Sequence, residues 1–390
     1  MKILLSKIKE DWFSNIGPDL LSVLVIGLVL IPETIGFAFI AGVDPSTSFL
    51  SVISMSIMVG IFGGRKGMIS ASAGSMALVL AVLVREYGTS YIMPVTLMTG
   101  VFQIIFGICK AGKLVKYIPE SVMHGFVNAL GILIFVDQIH YFKGQGLVMY
   151  ILVGIGILVI YTFPYLTKKI PPAIISIIVV TIIALLFKVD GYNLGTLKGL
   201  ELGYPKLLLP TIAINIHTIG IIFMYSISLA IVGSVESLLT AKTLDEMTNT
   251  ESNKSRECIG QGLGNILTAF IGGMAGCALV GQSIINTKSG GRTRLSTFFV
   301  GIFFMIYIVF FIDIVKIIPI AAVIAVMVMI AITTVNWKSI YTIPKNSITD
   351  TIVMIVTVAI VLATSNLAIG VVIGVILHYI FAAFKKRKTA

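Results

Sequence analysis

The sequence predicts an all-α polytopic membrane protein built as an inverted repeat. Three observations lead there: an apolar composition, uncharged stretches of membrane-spanning length, and two Gly/Ser-rich interruptions at matching points of the two halves. Of 390 residues, 57% are hydrophobic and 12% charged, against about 45–50% and about 25% in soluble domains. A soluble enzyme, a disordered chain and a secreted disulfide scaffold are thereby excluded. Uncharged runs such as Tyr87–Cys109, Leu295–Ile312 and Thr351–Phe384 reach the roughly 20 apolar residues that cross a bilayer as helix. A β-barrel would show short alternating segments instead.

The pattern places fourteen segments at 18–41, 45–62, 73–85, 90–109, 119–139, 147–166, 171–187, 215–240, 258–273, 280–288, 295–312, 317–335, 350–364 and 367–384. The third and tenth are too short or too rich in Gly and Ser for full crossings. Almost the whole chain is consumed, so 1–390 reads as a single transmembrane domain. Its first repeat is expected over 17–187 and its second over 215–384. The longest polar stretches, Lys242–Glu257 and Lys188–Lys206, are expected as loops.

Fourteen passes return both termini to one side. With that side cytoplasmic, most of the 28 Lys and Arg fall inside; only Arg85, Lys143, Lys188, Lys198, Lys206 and Lys316 fall outside. That asymmetry follows the positive-inside rule and supports both the span count and the orientation; the cytoplasmic (inner) membrane is the expected location. The net charge of +11 and the terminal KKRK are accordingly read as topology signals, with the lipid bilayer as partner and no nucleic acid. The basic start, MKILLSKIKEDW, lacks a signal peptide's apolar core and cleavage site. Cys109, Cys258 and Cys277 have no metal spacing, and Cys277 reads as a small residue admitted by close packing. The four histidines show no metal or catalytic pattern. No cofactor motif or catalytic dyad is legible, so no enzyme is expected.

The interruptions are FGGRKGMISASAGSMAL (62–78) and IGGMAGCALVGQSII (271–285). Each has a Gly-Gly pair, a short irregular stretch and an apolar half-helix. Unwound backbone is tolerated at membrane depth only where protein buries it or it lines a cavity, and its recurrence in two halves points to a transporter with inverted repeats. Two acids lie inside apolar helices, Glu33 beside Pro32 and Glu236 four residues before Thr240. A charge at the bilayer centre costs at least about 2.5–3.5 kcal/mol, so both are functional candidates. Glu236 and Thr240 share a helix face and form an oxygen-bearing pair suited to Na⁺ or a proton. Thr240 has an alternative reading as a hydroxyl bonded to its own helix. A third acid, Asp137, lies near the outer end of its segment and reads as a rim or gate residue. Lys288, Arg292 and Arg294 are expected to form a cytoplasmic rim.

Several stretches resemble the sulfate-permease (SulP) anion-transporter family. They are DLLSVLVIGLVLIPETIGFAFIAGVDP (19–45), FGGRKGMISASAGSMALVLA (62–81), KYIPESVMHGF (116–126), LPTI (209–212) and the long run from Val232 to Ser296. The resemblance implies a 7+7 inverted repeat, with segments 1–4 and 8–11 as core and 5–7 and 12–14 as gate. The third and tenth segments would be half-helices preceded by short extended stretches. Substrate would sit between their facing ends, at Ser72, Ala73, Gly74 and Ser75 and at Gly281, Gln282 and Ser283. The first and eighth helices would complete the site through Glu33, Phe37, Glu236 and Thr240. Movement of core against gate, elevator-like and usually in a homodimer, would carry the inorganic anion across.

The sequence departs from the resemblance in three places. Members usually continue into a cytoplasmic STAS domain, and this chain is expected to be either a short member without one or a piece of a longer protein. Many carry an arginine where Gln282 stands, and a neutral glutamine is common where Glu33 stands. Losing a cation and gaining an acid disfavours a bare dianion: at an effective dielectric of about 20, unit charges about 4 Å apart interact by roughly 4 kcal/mol. Co-binding of Na⁺ or H⁺ would offset the substrate's charge, with Glu33, Glu236 and Thr240 as coupling-ion residues. The expected function is secondary active transport of sulfate or bicarbonate by cation symport. The alternatives are a nucleobase or organic-anion symporter of the same fold, and an anion channel or non-transporting scaffold.

Overall fold

A computed structural model describes residues 9–110, 112, 117–142, 146–167, 171–189, 193–196, 212, 215–343 and 347–389. The LPTI motif, apart from Ile212, most of the expected loop Lys188–Lys206, and Lys2, Lys7, Lys113, Lys116, Lys143, Lys168, Lys169, Lys198, Lys206 and Lys345 among the cations lie outside the described residues. The helices of the first half are α1 (Ile16–Ala41), α2 (Pro45–Phe62), α3 (Gly74–Tyr87), α4 (Ile92–Ile108), α5 (Glu120–Phe142), α6 (Leu147–Thr162) and α7 (Pro172–Leu186). Those of the second are α8 (Ile216–Thr248), α9 (Lys254–Phe270), α10 (Val280–Lys288), α11 (Arg294–Lys316), α12 (Ile320–Thr334), α13 (Ile348–Thr364) and α14 (Leu367–Thr389). Strand β1 (Ser70–Ser72) precedes α3 and β2 (Gly276–Ala278) precedes α10.

The expected segments are found, and the third and tenth are half-helices. At 1.5 Å per residue, α3 is about 21 Å long and α10 about 14 Å, short of a hydrocarbon core of about 30 Å. The extended stretches before them pair antiparallel, Ser70 with Ala278, Ala71 with Cys277 and Ser72 with Gly276. Each strand thus satisfies backbone groups that would otherwise be unpaired at membrane depth.

Packing divides the helices into two bodies. α2 packs on α9 and α11, α4 on α8 and α9, and α1 on α3, α10 and α11. These form the core with β1 and β2. In the gate, α5 packs on α12, α13 and α14, and α6 on α7 and α12. Few pairs join the two: α1 with α12 and α7, α8 with α14, and α3 with α5. Large apolar side chains such as Leu147, Leu158, Ile182, Leu185 and Phe310 are exposed on the outer faces, as a chain surrounded by lipid requires.

Inside the core, α4 and α9 touch backbone to backbone. A Cβ on Gly262 would lie 2.5 Å from Gly100 O and 2.9 Å from Ile104 N, so no side chain fits without moving a helix. Overpacking of this kind costs about 1–3 kcal/mol. Gly262→Ala is therefore expected to lower the thermal unfolding midpoint of the detergent-purified protein by several degrees, whereas Gly154→Ala, where nothing stands within 4 Å, leaves it unchanged.

The expected loop at Lys242–Glu257 is largely helical. α8 runs on to Thr248 and ends on Asn249 in the left-handed conformation (φ 51°), and α9 starts at Lys254 with Asn253 accepting from Arg256 N. The charged residues did not end α8 because a helix about 50 Å long outreaches the bilayer, and Lys242 pairs with Glu246 one turn on.

Cationic turns meet at one end of the core. Arg65 bonds Asp245 (3.3 Å), Thr248 (2.7 Å) and Thr250 (3.0 Å), and Asp11 pairs with Lys66 and, at 3.9 Å, with Arg294. Burial lowers the Arg65 pKa, and the Asp245 charge opposes that. The expected rim is corrected at Arg294 alone, since Lys288 and Arg292 are exposed. Arg294 is buried, and its guanidinium donates to the carbonyls of Gly60 (2.9 Å), Ile61 (3.2 Å) and Gly63 (2.8 Å) at the end of α2. The last carbonyls of a helix have no intrahelical donor, and Arg294 supplies one from the other repeat. Asp19, also buried, accepts from Arg292 N (2.7 Å) and Thr293 Oγ1 (2.6 Å), tying the start of α1 to the turn between α10 and α11.

Candidate functional site

The paired strands set up the site. Because β1 and β2 cross antiparallel, α3 and α10 depart from one small sheet, each with an extended residue, Ala73 or Leu279, at its N-cap. Neither cap supplies a side-chain acceptor, so the first N–H groups of both half-helices carry the positive end of a helix dipole. α1 and α8 each pack against both half-helices, which brings their buried acids to the crossing.

Glu33 and Glu236 have different partners. Glu33 accepts from Gln282 Nε2 in the first turn of α10. Glu236 Oε2 accepts from Ser75 Oγ in the first turn of α3 and from Cys277 Sγ on β2 at 3.2 Å. Each acid of one repeat is therefore held by the half-helix of the other. Among the described residues, no Lys or Arg is ion-paired with either.

The remaining candidates sort by what they touch. Phe37 lies against the start of α3: a Cβ on Gly74 would stand 3.0 Å from its ring and 3.0 Å from Ile134 of the gate. Gly281 is exposed, with nothing within 4 Å of where a Cβ would be, so the start of α10 opens onto free space. Ser72 Oγ is buried with no hydrogen-bond partner among the described residues. Ser283 is tied to the residue before β1, its hydroxyl accepting from Ile69 N at 3.0 Å. Thr240 Oγ1 donates to the carbonyl of Glu236 at 2.8 Å, so it takes the helix-bonded alternative. The reading of Cys277 as a filler missed its bond to Glu236. Ser237, next to Glu236 in the chain, has a structural bond: its hydroxyl accepts from Ala278 N at 3.1 Å, fixing β2 to α8. Among the described residues no three His, Cys, Asp or Glu gather as a metal group.

This geometry can be set beside known proteins. The profile of the Sulfate permease family matches residues 16–150 and 145–357. The chain belongs to the sulfate permease family. The family is one of membrane transporters rather than enzymes, and this member is an integral membrane protein. It is 47% identical over 98% of its length to the Bacillus subtilis (strain 168) protein named "Putative sulfate transporter YbaR", of which it covers 80%. Similarity also extends to the "Bicarbonate transporter BicA" of Picosynechococcus, at 29% identity over 73% of this chain and 56% of that one. The sulfate permease family chain thus spans about half the length of that relative. The transmembrane domain of a cyanobacterial BicA has the same fold, with a TM-score of 0.81 at 24% identity, covering 94% of this chain and 98% of that one.

Proposed function

We propose that this family member is a secondary active transporter of an inorganic anion of the sulfate or bicarbonate class, driven by Na⁺ or H⁺ symport across the cytoplasmic membrane, with both termini cytoplasmic. The observation that carries the reading is the pairing at the crossing: two half-helix N-termini beside two buried carboxylates, with no basic side chain bonded to either acid among the described residues. Helix N-termini attract an anion, whereas unneutralised carboxylates repel it. A proton or Na⁺ at the carboxylates removes that repulsion, so cation and anion bind best together. That mutual dependence is what couples their fluxes. Glu33, Phe37, Ser72, Ala73, Gly74, Ser75, Gly281 and Gln282 would line the anion site, and Glu33 and Glu236 would hold the coupling cation, with Thr240 behind them. The division into core and gate with few contacts between them supports elevator-like movement, and a homodimer would keep the gate fixed in the membrane.

Competition in proteoliposomes tests the substrate class. Uptake of labelled sulfate or bicarbonate is expected to be saturable and to be displaced by unlabelled inorganic anions. Displacement by uracil or xanthine instead would favour the organic symporter, and non-saturable flux would favour a channel. A second expectation follows from the two sequence departures, Glu33 and Gln282, which bond each other. In Gln282→Arg, a fixed cation meets the Glu33 carboxylate. Anion uptake is then expected to lose at least half of its stimulation by a cation gradient, read as the ratio of initial rates with and without it.

A further inference from the structure

The crossing rests on β2, and β2 rests on α9. Glu257, Gln261 and Asn265 recur at four-residue spacing on that helix, which puts them on one face, and all three are fully buried. Glu257 Oε2 accepts from the backbone N–H groups of Gly64 (2.7 Å) and Arg65 (2.9 Å). Gln261 Nε2 donates to Glu257 Oε1 (2.8 Å) and to Ser70 Oγ on β1 (2.7 Å). Asn265 grips β2 twice: its Oδ1 accepts from Gly276 N at 2.8 Å and its Nδ2 donates to Gly276 O at 3.0 Å. The same Nδ2 donates to Gln103 Oε1 on α4 at 2.8 Å.

A two-stranded pair leaves outer edges unpaired, and water is scarce at membrane depth. The Asn265 amide stands where a third strand would, satisfying both backbone groups of one residue. The next residue in the chain is Cys277, whose thiol reaches Glu236. We propose that Asn265, oriented by Gln103, is the positioning residue of the site: it fixes the register of β2 and thereby places Cys277 against Glu236 and the start of α10 against Glu33. This deepens the reading of the crossing as the transport site and rests on it for its functional meaning. Asn265→Leu removes all three bonds. Asn265→Asp keeps the acceptor for Gly276 N, and Gln103 can turn its amide toward the new oxygen, so only the bond to Gly276 O is lost. The two substitutions should be graded.

The thiol of Cys277 reports the register without any transport measurement. In a background of Cys109→Ser and Cys258→Ala, Cys277 is the single thiol of the chain. The full-length protein is reconstituted from its monodisperse fraction, treated with N-ethylmaleimide and read by intact mass. Slow modification is expected in the parent, because Cys277 is fully buried. A rate at least tenfold faster is expected in Asn265→Leu, and an intermediate one in Asn265→Asp. Thr268→Val, whose hydroxyl bonds Ser54 and not β2, should keep the parent rate. Should Asn265→Leu not yield folded protein, Gln103→Leu, which removes one bond of the amide, takes its place with a smaller rise. In the same vesicles the half-saturation concentration for the anion should rise more than maximal uptake falls. Equal modification rates in the parent and all Asn265 and Gln103 variants would overturn the proposal. Faster modification without anion uptake by the parent would instead leave the positioning role standing and overturn the transport reading.

Discussion

Glu236→Gln is expected to abolish gradient-driven anion uptake while leaving the protein folded. Glutamine retains a carbonyl oxygen to accept from Ser75 and Cys277, the two side chains that hold Glu236, so the local bonds survive the substitution. What disappears is the negative charge that attracts the coupling cation. At an effective dielectric of about 20 the attraction between unit charges about 4 Å apart is roughly 4 kcal/mol, or about 10²–10³-fold in affinity. Uptake at a fixed cation gradient should fall by at least about tenfold, the exact factor depending on how far the site is saturated. Asp137→Asn supplies the comparison. Asp137 lies in α5 of the gate rather than on a half-helix or on the two helices that carry the buried acids, and its neutralisation should change uptake by less than about twofold. Equal losses in the two variants, measured as initial rates per folded protein, would count against Glu236 as a coupling residue.

Arg294→Met is expected to produce the largest loss of stability. Arg294 is 5% exposed, and its guanidinium donates to three carbonyls at the end of α2. Methionine matches the stem but carries no donor, so buried carbonyls of Gly60 and Gly63 lose their partner. Each unsatisfied group costs about 1–3 kcal/mol, and Asp11 loses one of its two cations. A total of about 3–5 kcal/mol is a large share of a typical folding free energy of about 5–15 kcal/mol. The thermal midpoint should fall by about 10 °C. Arg294→Lys should fall between, since one ammonium cannot reach all three carbonyls. A midpoint within 2 °C of the parent in Arg294→Met, on a scale where measured shifts of a few degrees per kcal/mol are usual, would show that the carbonyls find other donors.

The helices were legible because bilayer thickness and apolar run length set them together, and both half-helices stood out through their Gly-Gly pairs. The ends of α8 and α9 were not, because charge ends a span but not the helix that carries it into water. Glu33 and Glu236 were legible because a carboxyl in an apolar run is costly enough to need a reason. Cys277 was not: a thiol among apolar residues looks like packing until its partner, 41 positions away, is known. Hydroxyls were the least readable. Thr240 and Ser283 have the right position, but which acceptor or donor each meets depends on the tertiary packing. The Glu257, Gln261 and Asn265 stripe did leave a signal, three polar residues at four-residue spacing on one helix. Its meaning required Gln103, 162 positions away from Asn265.

In the proposed mechanism a cation at the buried carboxylates drives the anion across. The most direct measurement is the initial rate of labelled anion uptake, sulfate and bicarbonate in turn, into proteoliposomes with an inward Na⁺ gradient, with an inward H⁺ gradient, and with neither. Uptake of at least one anion is expected to be saturable and to rise severalfold under one of the two gradients, with accumulation above the external concentration. Flux of both anions that is indifferent to both gradients would contradict the claim.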